Sequence, residues 1–237
     1  MIRYRSTCGI LCQFVMYIFI IMTSCVNRSN VVEGFSDYYL PFESFDQGGM
    51  EYRYRSLADS TLEHEVWHHI KTSEEHILSI NYDHRQQVVQ KQYEHVVGNG
   101  VLIDSLHLFF YDSLGRTISL PVRVLSPHRL PFNPVDSAQL WLTKLEWWQP
   151  TDQLHVVLER RRRFLGGTTW KWQGKTIPAV RFKTVDKFET ERDGWTTSEW
   201  DGEEVYAKGI GLIYYRRNIS PQMVLEFELD SRKPIIK

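Results

Sequence analysis

Beyond residue 25 the chain has no cysteine: Cys8, Cys12 and Cys25 are all it contains. No disulfide can tie the body together, so its stability has to come from a packed core, and 237 residues are enough to build one as a single domain. A surplus of charge is missing too. The 28 basic residues meet 29 acidic ones, for a formal net charge of -1. No global field therefore draws in nucleic acid, and a charged partner has to be met by a local group. Nor is there a long apolar run. The most apolar stretch, Gly9 to Met22, contains Gln13 and falls short of the roughly 20 residues a spanning helix needs, which argues against a permanent anchor helix.

What the N-terminus does contain is an address. A basic head, Met1 to Arg5, precedes the apolar run, and small residues Thr23 and Ser24 stand before Cys25, which is the layout of a secretory signal. Met22-Thr23-Ser24-Cys25 resembles the lipobox of bacterial lipoproteins, with Met where Leu is usual. That resemblance implies removal of residues 1–24 as a signal peptide and acylation of Cys25. It also implies stable tethering to a membrane, because several acyl chains anchor where one binds only marginally. Residues 25–38, polar around Asn27, Arg28, Ser29 and Asn30, then read as the lipidated cysteine and a tether, and residues 39–237 as one β domain.

The body is dominated by period-2 segments rich in β-branched and aromatic residues. Met50 to Arg55 places Tyr52 and Tyr54 on one face and Arg53 and Arg55 on the other. Val101 to Tyr111 and Thr117 to Leu125 form a hairpin around Asp112 to Gly115, with Pro121 placing the second strand at an edge or bulge. Further strands are read at 154–160, 177–185, 195–200 and 211–215, with Gly166-Gly167, Asp193-Gly194 and Asp201-Gly202 as turns. In Met223 to Asp230, Met223, Leu225, Phe227 and Leu229 face in. Residues 136–150 read as a helix on the sheet, capped by Asp136, with Ala138, Trp141, Leu142, Leu145 and Trp148 at helical spacing; the same residues also alternate as a strand would.

Two stretches carry candidate chemistry. His64-Glu65-Val66-Trp67-His68 matches H-E-x-x-H: on a helix, His64 and His68 would share a face and grip zinc while Glu65 activated its water, as in a zinc-dependent hydrolase. A capping box from Ser60 to Glu63 and a seam of Leu62, Val66 and Ile70 favour that helix. Against it, no third ligand follows in a familiar arrangement, and strand-like segments lie on both sides. In a strand the two histidines would stand about 13 Å apart, too far for one ion. The second stretch is Arg160 to Arg163. In a strand it is two pairs pointing to opposite faces, with Asp186, Glu189, Glu199, Glu203 and Glu204 among the cross-strand partners; solvated ion pairs are expected, and contact with phosphate headgroups is the functional reading.

The stretches Gly48 to Tyr54, Gly174 to Phe182 and Tyr206 to Tyr215, together with the lipobox, resemble a broad group of Bacteroidota-type envelope lipoproteins. Some of these are similar to the lipoprotein-localisation factors. The resemblance implies a mainly β fold: a single curved antiparallel sheet forming an incomplete barrel in meander order around one short helix or plug. It implies a non-enzymatic protein of the cell envelope, without cofactor, lipid-anchored in the outer membrane, whose concave face holds a lipid or acyl chain or docks an envelope protein. A structural accessory subunit of an envelope complex and the zinc hydrolase are the alternatives. Tryptophan is abundant for one modest core, and Trp141, Trp148, Trp170, Trp172, Trp195 and Trp200 are the ligand-binding candidates, since apolar ligands are held in concave, mostly apolar sites.

Overall fold

The computed structural model describes residues 34–41, 45, 48–58, 64–112, 114–133, 140–150 and 152–235. Cys25 with the rest of the expected signal segment and tether up to residue 33, the capping-box residues 60–63 and Asp136 lie outside them. Residues Glu33–Lys237 form one compact unit.

The sheet closes. Among the described residues twelve antiparallel strands follow in meander order: β1 (Met50–Ser56), β2 (Glu65–Lys71), β3 (His76–Tyr82), β4 (Val88–Val97), β5 (Gly100–Tyr111), β6 (Thr117–Pro131), β7 (Leu140–Gln149), β8 (Leu154–Trp172), β9 (Lys175–Glu191), β10 (Trp195–Ala207), β11 (Gly211–Ser220) and β12 (Met223–Pro234). The incomplete barrel expected from the sequence is therefore corrected to a closed one. β1 pairs with β2 on one side and with β12 on the other, from Met50↔Pro234 to Ser56↔Phe227. Closure gives both outer strands a partner and removes exposed edges.

The expected helix at 136–150 is also corrected. Leu140–Gln149 is β7, in register with β8 over its whole length, from Leu140↔Arg163 to Gln149↔Leu154. The alternation wins because it separates an inner face of Trp141, Thr143, Leu145 and Trp147 from an outer face carrying Lys144 and Glu146. The one helix among the described residues is a single turn, α1 (Ser36–Tyr39). It sits inside one end of the barrel, where Phe35 is fully buried against Phe164 and Phe182, with ring centroids at 4.9 and 5.6 Å. Backbone bonds fix it: Phe35 N–H donates to the Phe132 carbonyl at 2.7 Å and Gly209 N–H to the Asp37 carbonyl at 2.8 Å. The chain thus joins the barrel at Phe35, a few residues ahead of the boundary at 39.

Glycines mark where the backbone does something unusual, and not always a turn. Gly194 (φ +141°) lies in the β9–β10 loop as expected. Gly166 (φ +126°) does not turn the chain but sits at a bulge in β8, opposite Arg181. The real β8–β9 turn is Gln173-Gly174, both with positive φ, as a two-residue hairpin loop requires. Gly202 is in mid-strand in β10: a Cβ there would lie 2.2 Å from the Arg216 carbonyl oxygen and 2.8 Å from Thr184 Oγ1. Gly202→Ala is expected to cost about 1–3 kcal/mol or more, because backbone stands in the way. A denaturant midpoint equal to the wild type would show that β10 and β11 can separate without cost. Pro121 lies opposite His107 of β5, beyond Arg123, where the β6–β7 ladder begins, so its missing N–H breaks no bond to β7.

The outer wall carries ion pairs such as Arg55–Glu228, Arg123–Glu146, Arg161–Glu199 and Arg181–Glu203. A barrel that spans a membrane with its strands presents lipid with an apolar band instead.

Candidate functional site

Below α1 the barrel encloses a cavity of about 350 Å³, with Tyr39 and Leu40 at its α1 end. One wall is apolar. Ile103, Leu106 and Leu108 of β5, Leu145 and Trp147 of β7 and Leu158 of β8 line it, backed by Val122 and Val124 of β6. The rest of the lining is charged, with Arg129, Arg160, Arg162 and Arg217 facing the same space as Glu94 and Glu204.

The charges form a built network. Glu204, buried on β10, accepts from Arg162 Nε at 2.8 Å, Arg217 at 2.6 Å and the Tyr206 hydroxyl at 3.0 Å. Asp186, buried on β9, takes a two-pronged bond from Arg160, both arms 2.7 Å, with Arg217 Nε at 3.3 Å. Burial pushes both carboxyls up, but the neighbouring guanidiniums outweigh it and hold them below the usual carboxylate range, Glu204 well below. Glu94, on β4, is bonded by the Tyr39 hydroxyl at 2.8 Å, Gln92 at 2.6 Å and Ser79 at 3.0 Å.

The arginine run therefore alternates as read, and its partners Asp186, Glu199 and Glu204 are among those expected, but the expected solvation fails for one pair. Arg160 and Arg162 point into the barrel, and Arg162 is fully buried; Arg161 pairs with Glu199 on the outer wall. The signal was available: Leu158 and Phe164 share the inward parity of Arg160 and Arg162, so that face of β8 begins and ends apolar.

His64-Glu65-Val66-Trp67-His68 runs into a strand, not a helix. Glu65, Trp67 and His69 line the cavity, whereas His68 falls on the opposite face, 3.3 Å from Glu51 and with its ring tilted against Tyr82 at 4.6 Å. His64 bonds the Tyr54 carbonyl at 3.3 Å. The helical geometry that would bring His64, Glu65 and His68 round one ion is thus replaced, and no group of three metal-ligating side chains occurs among the described residues. Glu65 instead accepts from Trp67 Nε1 at 2.7 Å, Asn81 at 3.1 Å and the Tyr215 hydroxyl; burial pushes its carboxyl up. His69, which the sequence did not single out, bonds Ser79 at 2.8 Å. Burial and then the Arg129 charge lower it to about 3, so it is neutral at ordinary pH.

None of the six tryptophans nominated from the sequence lines the cavity; Trp67 and Trp147 do. Trp141 is buried, Trp200 stacks on Phe188 at 4.8 Å, and Trp170 lies 5.3 Å from Tyr214. Trp172 is near the tip of the same hairpin. Trp148 and Trp195 are more than half exposed, with His155 facing the Trp195 ring at 5.7 Å. Tryptophan count alone does not tell inner from outer wall; the neighbours at i±2 do.

No protein-family model matches the chain, and no curated protein does. Solved structures do. A candidate exported protein with YmcC-like fold from Bacteroides fragilis is similar at 14% identity and a TM-score of 0.55, covering 83% of this chain and 99% of that one. A candidate lipoprotein from Parabacteroides distasonis is similar at 10% identity and a TM-score of 0.50, covering 83% and 98%. At these identities what is shared is the fold, and it is shared with proteins of the bacterial group expected from the sequence.

Proposed function

We propose that this is a non-enzymatic lipoprotein of the cell envelope, acylated at Cys25, most naturally in the outer membrane, that holds an apolar ligand such as a lipid or acyl chain inside its barrel. The observation that carries the reading is the cavity wall of Ile103, Leu106, Leu108, Leu145, Trp147 and Leu158. A leucine-lined space of this volume inside a barrel lies at the low end of the small-ligand range and suits one chain, not a folded partner. The two fold neighbours, a candidate exported protein and a candidate lipoprotein, agree with the address carried by residues 1–25. A docking role with an envelope protein draws on a different feature, the exposed Trp148 and Trp195.

Native mass spectrometry of residues 26–237, purified without added metal or chelator, tests the ligand. Added mass of one lipid or fatty acid, lost in Leu145→Trp with the fold retained, is the expected result. A bare chain in both would end the carrier reading and leave the docking role. For the anchor, incorporation of labelled palmitate by the full chain is expected to vanish in Cys25→Ser.

A further inference from the structure

The interior cations are not equally satisfied. Arg162 and Arg217 are bound to Glu204, and Arg160 to Asp186. Among the described residues Arg129 has no hydrogen-bonded carboxylate. Its Nε is buried without a hydrogen-bond partner, and the nearest acceptor charge, Glu94, is 3.6 Å away, too far for a hydrogen bond and already taken by Tyr39, Gln92 and Ser79. Arg129 and Arg160 also keep 24% of their side-chain surface open, against 0% for Arg162 and 9% for Arg217. Both line the cavity.

The partners of the interior acids point the same way. Among the described residues four guanidiniums share the interior with four carboxyls, and Glu94, Asp186 and Glu204 take their hydrogen bonds from groups other than Arg129. Glu65 is met by the neutral donors Trp67, Asn81 and Tyr215, and burial pushes its carboxyl up. An interior guanidinium without a full partner is costly, and a bound oxyanion offsets that cost with charge-assisted hydrogen bonds that suit the planar donor fork.

We infer that the occupant of the cavity is a single-chain amphiphile with an oxyanion head, carboxylate or phosphate ester, held by Arg129 with Arg160 beside it while its chain lies on Leu106, Leu108 and Leu145. This rests on the carrier reading and adds the head group to it. Arg129 sits on β6 beside Val101 and Leu102 of β5, and Leu106 and Leu108 follow along the same strand pair, opposite Val122 and Leu120, so the chain would run along these strands away from the guanidinium.

Equilibrium dialysis of labelled decanoate, decyl phosphate and decanol against the full chain held in amphipol tests it, with Leu106→Trp subtracting what partitions outside the cavity. Decanoate or decyl phosphate, whichever head fits, is expected to bind about ten- to a hundredfold more tightly than decanol. Arg129→Gln is expected to erase that preference and leave decanol unchanged. Equal binding of all three overturns the anionic head group while leaving the carrier reading intact, and it would mean that water satisfies Arg129. No binding above background by any of them removes the carrier reading itself. The wild-type comparison decides the matter even where Arg129→Gln fails to fold.

Discussion

Glu204→Ala is expected to lose about 3–5 kcal/mol of unfolding free energy, because it strands buried cations instead of deleting a contact. Arg162 is fully buried and has Glu204 as its only carboxylate partner among the described residues, with Thr143 Oγ1 at 3.2 Å as a neutral one. Arg217 would keep Asp186, at 3.3 Å, but lose its 2.6 Å bond. Glu204→Gln keeps the shape and one acceptor and should fall between. The pH dependence separates this from a simple packing defect. Glu204 and Asp186 have folded pKa values below their unfolded ones, so their contribution is complete above the ordinary carboxylate range, about pH 4–5, and is lost as pH falls through the folded values. With Glu204 removed, stability should decline less steeply on acidification than in the wild type. Denaturant midpoints at pH 7 and across pH 6 to 3 measure both effects. A loss under about 0.5 kcal/mol with an unchanged acid slope would mean the network is worth no more than a surface ion pair.

The strands of this fold were legible because their signal is local: Tyr52 and Tyr54 alternate with Arg53 and Arg55, and Phe227 and Leu229 with Glu228 and Asp230, as they do in the barrel. Met223, grouped with the inward set, is half exposed, since the hairpin tip lies beyond the core. Closure was not legible, because the pairing of β1 with β12 joins residues almost the whole chain apart and leaves no mark on either segment. Glycine misled for a related reason. At Asp201-Gly202 the dipeptide looks like a turn, but the small residue is needed because the Arg216 carbonyl passes over it, and only the neighbouring strand reveals that. The site was half legible. Parity alone divided Arg160 and Arg162 from Arg161 and Arg163. Their buried partner Glu204, 42 residues on, could be named only as one of several acids. The H-E-x-x-H pattern shows the opposite limit: a four-residue spacing means one face on a helix and two distant points on a strand, and the barrel register decides between them.

Phe35→Ala is expected to be as severe as loss of Glu204, and to act on the cavity as well as on stability. Phe35 is fully buried among Phe164, Phe182 and Tyr38, and truncating such a ring costs about 3–5 kcal/mol. The ring holds α1 in the barrel end, and α1 in turn places Tyr39 on Glu94 and Leu40 at the cavity. Gly211 shows how tight the fit is: a Cβ there would lie 2.7 Å from the Tyr39 carbonyl oxygen. If α1 is an integral stopper, Phe35→Ala should lower the denaturant midpoint, expose the segment before β1 to protease under native conditions, and speed release of any bound amphiphile. Phe35→Leu, which keeps most of the apolar volume, should show a much smaller change in each. Faster release with an unchanged midpoint would instead make α1 a loose lid whose ordering adds nothing to the barrel. A large stability loss with unaltered release would separate the aromatic cluster from the cavity, leaving Tyr39 and Glu94 as the groups that keep it closed.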